Sequence, residues 1–289
     1  MQLTEQVRRR IIILYCLFFF FFFVYRYFTN GLLSQVVPVF FWNKIDLTTW
    51  IIQATGFHKI LLNNFWLCLI VDVVYFLFPF IYLFAYIKKP AIKKPVGCLF
   101  FLCSLVYSVV YCCYPIDSIE THIAVMVFPI VFIPMSLKGF EFMLQAVRYL
   151  FLFFFFSAGV WKLALGGFFN FQQMSGIILF QHKELLVLAD PSPMYDFYRW
   201  LITHPAASYW LYFLITLIEL SFVIGFFTKK CDNTFLAIYF IFLIMNSLIM
   251  RIDYWRTLPF LLCLYYSKYQ YKKSGQAAFV NTHTSSSLK

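Results

Sequence analysis

The chain has 289 residues, 63% of them hydrophobic and 12% charged, and its mean hydropathy is +0.79. An ordinary soluble domain is about 45–50% apolar and about 25% charged, so this composition cannot cover a water-facing surface. A soluble domain, a disordered chain, a disulfide-stapled secreted domain and a nucleic-acid binder are excluded, and the net charge of +11 becomes a question of membrane orientation.

A bilayer core of about 30 Å takes roughly 20 apolar residues as a helix. The first such stretch, 11–28, holds the run Phe18 to Phe23 and follows Arg8, Arg9 and Arg10. More apolar stretches come after it with no small-residue cleavage site between, so it reads as a retained signal-anchor helix. Further spans are expected over 61–87, 96–114, 122–137, 142–165, 208–227, 234–250 and a short last one over 258–267. All must be helical, because lipid leaves backbone groups no other partner. The expected fold is an all-α, polytopic transmembrane bundle of about eight spans over residues 1–271, with 272–289 a polar, disordered cytoplasmic tail.

Charge orients it. With the N-terminus cytoplasmic, the inner side collects Arg8, Arg9, Arg10, Lys88, Lys89, Lys93, Lys94, Lys138, Arg148, Lys229, Lys230 and the C-terminal lysines. The positive-inside rule then places both termini in the cytoplasm, and a bacterial inner (plasma) membrane is the expected location. The outer side takes the loop with Asp117 and Glu120 and a segment of about 40 residues, 166–207, around Asp190-Pro191-Ser192-Pro193. A connection of that length is functional or a small subdomain. Its mixed stretches, 168–184 and 194–203, read as interfacial helices. The eight cysteines contain no C-x-x-C, so neither a dithiol nor a zinc site is expected, and buried thiols acting as small hydrophobes are the simplest reading.

In such a chain the informative residues are ionisable groups within spans, each costing about 2.5–3.5 kcal/mol at mid-bilayer. Asp72 reads as a structural hydrogen-bonding partner. Lys162 lies near the outer end of the fifth span and Glu219 near the centre of the sixth; Asn246 and Ser247 lie in the outer half of the seventh, followed by Arg251, Asp253 and Arg256. Lys162 has two readings, snorkelling to the headgroups or work as a base. Glu219 is a structural pair member or a catalytic group. His182 and His204 are weak signals alone, since a loop histidine is more often solvated. Convergence raises them: Lys162, Asn246, Arg251, Asp253, His182 and His204 all fall near the outer side. Flanked by Gly159 and Trp161 among Phe-rich helices, Lys162 is expected to be desolvated, and a desolvated lysine left as the neutral amine is a usable base.

The same residues carry a resemblance. Arg148, Phe155, Ala158, Gly159, Val160, Lys162, Leu163, Glu219, Met245, Asn246 and Ser247 follow the order and spacing of a pattern in the HTTM (horizontally transferred transmembrane) family. The stretch 148–258 resembles the transmembrane part of the vitamin K-dependent γ-glutamyl carboxylase and its bacterial relatives, and similar cores occur in DoxX-like membrane proteins. Trp161 stands where the carboxylase has a second lysine and Leu243 where it has a histidine, so what carries over is the membrane core. The resemblance implies a membrane enzyme or maturation factor with an outward-facing site, Lys162 as general base, Glu219 and Asn246 tuning or orienting it, and Arg251 or Asp253 handling a polar substrate. It also implies a quinone-like lipid as cofactor and a secreted peptide or partner membrane protein as client. The rival reading is a non-catalytic membrane subunit that grips a partner protein.

Overall fold

The computed structural model describes residues 1–36, 47–113, 119–188, 192–252 and 254–271. The expected cytoplasmic tail 272–289, Asp117, Asp190 and Asp253 lie outside them. Among the described residues the chain is helical, with no strand beyond an isolated bridge between Gln2 and Gln270. Six helical stretches are long and apolar enough to cross a bilayer: Glu5–Gln35, Phe65–Lys88, Pro90–Cys112, Leu137–Ala164, Pro205–Phe227 and Asp232–Met250. The protein is thus a multi-pass integral membrane protein, and it forms two compact units, Met1–Gln145 with the C-terminal stretch from Tyr266, and Ala146–Tyr265.

In the first unit α1 (Glu5–Phe28) opens on Thr4, whose hydroxyl accepts the Val7 amide and so satisfies one orphan donor of the first turn. The phenylalanine run divides by helical periodicity: Phe19, Phe22 and Phe23 are buried while Phe21 is 66% exposed to the surroundings. After α2 (Leu47–Thr55) and α3 (Phe57–Leu62) comes α4 (Phe65–Lys88), which carries Pro79 in its interior. Proline lacks the N–H that would reach the fourth carbonyl back, and helix neighbours make such a site tolerable in a membrane. The thiol of Cys16 on α1 donates to the Pro79 carbonyl. α5 (Lys93–Cys112) packs beside α4, and α6 (Ile119–Val127) runs into a 3-10 turn, Phe128–Phe132. The core is aromatic: Tyr15 stacks on Phe128 with centroids 4.9 Å apart, and Phe19 meets Tyr75 edge-on at 5.0 Å.

Asp72 has the structural role expected of it. Its carboxylate accepts the Leu33 and Ser34 amides, 3.2 and 2.9 Å, and the Tyr107 hydroxyl, 2.7 Å. The buried charge thereby caps the turn that ends the first span.

In the second unit α7 (Leu137–Ala164), whose first turns belong to the first unit, runs antiparallel to α11 (Pro205–Ser221), its continuation α12 (Ile224–Phe227) included. Two glycines set the approach. A Cβ on Gly159 would lie 3.0 Å from the Leu220 side chain and 3.1 Å from its amide nitrogen, and one on Gly225 would lie 2.6 Å from Leu152. Between these helices the chain forms α8 (Gln173–Gln181), α9 (Lys183–Leu188) and α10 (Pro193–Thr203), in the stretch expected to hold interfacial helices. They pack on α11 and on the end of α13 (Asp232–Met245), which passes into a π-helical turn, Asn246–Met250.

Two of the expected spans take a different form from the six long helices. Proline at position 129 converts the 122–137 stretch into α6 and a 3-10 turn, a shorter apolar helix over Thr121–Phe132. The last stretch is α14 (Pro259–Tyr266), eight residues or about 12 Å of helix at 1.5 Å per residue. A 3-10 turn, Trp255–Thr257, leads into it, and Thr257 is buried and hydrogen-bonded to Tyr239 in the middle of α13. Non-α backbone at that depth is tolerated where protein surrounds it.

Candidate functional site

Lys162 sits two residues before the end of α7, and Glu219 sits on α11 one residue before the Leu220 that contacts Gly159. The close glycine contact brings the two side chains together. Lys162 Nζ donates to Glu219 Oε1 at 2.7 Å, and lies 5.2 Å from the centre of the Tyr212 ring, two turns before Glu219 on the same face of α11. The lysine side chain is 24% exposed and the glutamate 4%. Glu219 Oε2 is buried with no hydrogen-bond partner among the described residues. A carboxylate at this distance is a partner for an ammonium. Lys162 can therefore act as a base only after it hands a proton to Glu219, which makes the chemical unit the pair and not the amine alone.

A cavity of about 270 Å³ opens between α11 and α13. Its α11 wall is Leu211, Leu214, Ile215 and Ile218, the i, i+3, i+4, i+7 stripe of one helical face, and Asn246 is the polar residue in the lining. Neither Lys162 nor Glu219 lines it. Asn246 Nδ2 donates to the Phe242 carbonyl in its own helix, 3.1 Å.

The other expected residues separate into two groups. His182 is fully buried at the turn between α8 and α9; its Nε2 lies 2.8 Å from the Ile249 carbonyl and its ring stacks on Tyr198 at 3.6 Å. Because a carbonyl only accepts, Nε2 carries the proton and Nδ1 is bare, buried without a hydrogen-bond partner. Burial holds the imidazole below its ordinary value of 6.5, with Arg251 acting in the same direction. Tyr198, its hydroxyl donating to the Leu248 carbonyl at 2.6 Å, is likewise pushed up by burial. These two bonds serve carbonyls of the π turn, where the regular i→i−4 ladder is broken. Arg251 follows at φ 49°, a left-handed conformation that ends the turn. His182 and Tyr198 thus fasten the α8–α10 cap to the end of α13, with Met174, Ile178, Leu201, Tyr212 and Ile249 as the apolar cluster beneath.

His204 and Trp161 are elsewhere in function. His204 is exposed, its Nδ1 2.9 Å from the Trp200 carbonyl and its ring stacked on that indole. Trp161 is 65% exposed.

Sequence reasoning misses Asp232. Arg148 is buried, donating through Nε to Asp232 Oδ2 at 2.8 Å and through Nη2 to Oδ1 at 2.5 Å, and also to the Gly225 carbonyl at 2.9 Å. This fork holds the turn between α12 and α13. The available signal is a lone acid following Lys229 and Lys230 at the mouth of a span. Tyr212, which touches both Lys162 and the cap cluster, carries no signal beyond helical spacing. Among the described residues no group of three or more metal-ligating side chains occurs and no disulfide forms.

Fold and side chains together define a polytopic helical membrane protein in which the Arg148–Asp232 and Lys162–Glu219 ion pairs join helices and a helical cap lies over an apolar cavity. No family model matches the chain, and no curated protein or solved structure matches it at a significant level.

Proposed function

We propose that the protein is a membrane-embedded enzyme or maturation factor of the HTTM type, located in the bacterial inner membrane and working toward the extracytoplasmic side with a quinone-like lipid. The observation that carries the reading is the Lys162–Glu219 pair, 2.7 Å long with one carboxylate oxygen unused, at two of the three ionisable positions of the pattern. The α11–α13 cavity fits such a cofactor: apolar walls for a prenyl tail and the Asn246 amide for an oxygen. When bound, the group supplies an ionisable ring hydroxyl. The chain's part is to move protons. Lys162 would pass a proton to Glu219 Oε1, its freed amine would serve as the base for an acidic hydroxyl brought to the pair from the cavity, and the buried Glu219 would hold its proton away from water.

The topology that goes with this function has eight crossings and both termini cytoplasmic, the short helices α6 and α14 each completing a crossing with non-α backbone. The pairing of Leu3 with Gln270 supports it, since two chain ends that hydrogen-bond lie on one side and require an even number of crossings. The client is a secreted peptide or a partner membrane protein.

The second reading, a non-catalytic subunit assembling with a partner, is favoured by Lys162 being paired and outside the cavity wall. Complementation of a deletion strain separates the two. Lys162→Ala and Lys162→Arg, each checked for an unchanged size-exclusion profile, both fail to complement if the lysine is a base, because arginine does not give up its proton. Rescue by arginine identifies a charge pair that only joins helices.

A further inference from the structure

One end of the first unit carries an excess of cations that the fold does not use. The hairpin joining α4 to α5 places Lys88 and Lys89 before a 3-10 turn, Pro90–Ile92, and Lys93 and Lys94 after it. Lys88, Lys89 and Lys94 are exposed and have no ion pair among the described residues, and Lys93 Nζ lies 5.4 Å from the Tyr86 ring. The same end receives α1 and the start of α7. The Tyr86 hydroxyl bonds Glu5, and the buried Arg8 donates to the Pro134 and Met135 carbonyls. Those contacts carry Arg9 and Arg10, both exposed, to the same end, and Lys138, also exposed, follows Pro134 closely in sequence. The acids there are already engaged, Glu5 by Tyr86 and Glu141 by the Tyr271 amide.

What distinguishes this patch from a general basic surface is its border. The cations stand at the ends of bilayer-length helices, and exposed apolar side chains begin within a turn: Phe84 57%, Ile87 44%, Ile92 43% and Phe142 68%. A soluble polyanion would gain nothing from that apolar collar. A phospholipid matches both parts, with phosphate at the lysines and acyl chains along Phe84 and Ile87. Lysine clusters immediately beside a membrane helix attract anionic headgroups with an energy that grows with each cation and is screened by salt.

We propose that the Lys88–Lys94 hairpin, with Arg9, Arg10 and Lys138, is a docking surface for anionic phospholipid headgroups in the adjoining leaflet. The detergent-solubilised full chain, offered phosphatidylglycerol or phosphatidylcholine of identical acyl chains and read by native mass spectrometry, tests it. The wild type should retain phosphatidylglycerol preferentially. The variant K88Q/K89Q/K93Q/K94Q should lose that preference by up to about a thousandfold, as expected for four surface cations at about 1 kcal/mol each, while the corresponding arginine variant keeps it. If the glutamine variant does not fold, 0.5 M NaCl should erase the wild-type preference. Equal retention of the two lipids by the wild type, a preference unaffected by the glutamines or by salt, or displacement by an equal concentration of inorganic phosphate would each overturn the proposal. The last outcome would mean a site for phosphate and not for a lipid.

Discussion

Replacing Asp232 by alanine leaves the Arg148 guanidinium inside the second unit with its counter-ion removed. The two bonds lost are both charge-assisted, at 2.8 and 2.5 Å, and each is worth about 1.5–3 kcal/mol. The Gly225 carbonyl at 2.9 Å and the Thr228 carbonyl at 3.4 Å remain, and Nη1 already lacks a partner. The fork is out of contact with the surroundings, its side chains 1% and 0% exposed, so screening offers no relief. Breaking a buried pair from one side costs about 3–5 kcal/mol, or between two and nearly four powers of ten in the folding equilibrium at about 1.4 kcal/mol per decade. Reversible unfolding in mixed micelles, followed by tryptophan fluorescence, measures this. The double variant Arg148→Met/Asp232→Leu should recover most of the loss, because apolar replacement of a whole buried pair is often close to neutral. A loss below about 1 kcal/mol for Asp232→Ala would refute the reasoning, since the guanidinium would then have to be rehydrated or re-paired at little cost.

Gly159→Ala pushes a methyl against Leu220 and should destabilise the protein by about 1–3 kcal/mol, whereas Gly176→Ala, with nothing within 4 Å of the new Cβ, should stabilise it by up to about 1 kcal/mol; thermal unfolding of the two variants side by side checks the contrast. Burial lowers the His182 pKa, so the folded state binds fewer protons than the unfolded one. Cap stability should be full above the ordinary value of 6.5 and fall as pH drops from there toward the folded value. Amide protection factors across α8–α10, corrected for the intrinsic fall of exchange with pH, should drop over that window in the wild type and not in His182→Gln. Tyr198→Phe removes the bond to the Leu248 carbonyl and should cost about 0.5–1.5 kcal/mol, read as faster exchange in the cap at neutral pH.

The sequence makes the helical class, the membrane setting and the cap helices legible because each leaves a one-dimensional trace: apolar runs of bilayer length, lysines at their ends, and mixed stretches in the 166–207 connection. Asp72 is legible as a structural acid for the same reason, a charge that must find donors. What hydropathy cannot separate is an apolar helix from apolar backbone of another kind. The 122–137 and 258–267 stretches are equally greasy, yet Pro129 turns one into a 3-10 segment, and the other is entered through a 3-10 turn, Trp255–Thr257, that the Thr257–Tyr239 bond ties to α13. The candidate site is legible residue by residue but not as a contact set. Lys162 and Glu219 are 57 positions apart, and the missing Cβ atoms at Gly159 and Gly225 bring their helices close enough to touch. His182 and His204 look alike in the sequence, and their difference, one buried on Tyr198 and one exposed on Trp200, is set by tertiary packing.

The claim that the Lys162–Glu219 pair works, and does more than join α7 to α11, is tested most directly by exchanging the two residues. In nanodiscs, binding of a naphthoquinone bearing a prenyl tail is read by quenching of tryptophan fluorescence, with the unfolding midpoint recorded on the same sample. The account predicts that Lys162→Glu/Glu219→Lys keeps a midpoint close to the wild type, because the ion pair re-forms, keeps the saturable quenching, because neither residue lines the cavity, and fails to complement a deletion strain. An exchanged protein that folds and complements as the wild type does, or a wild type that shows no saturable quenching, would contradict it.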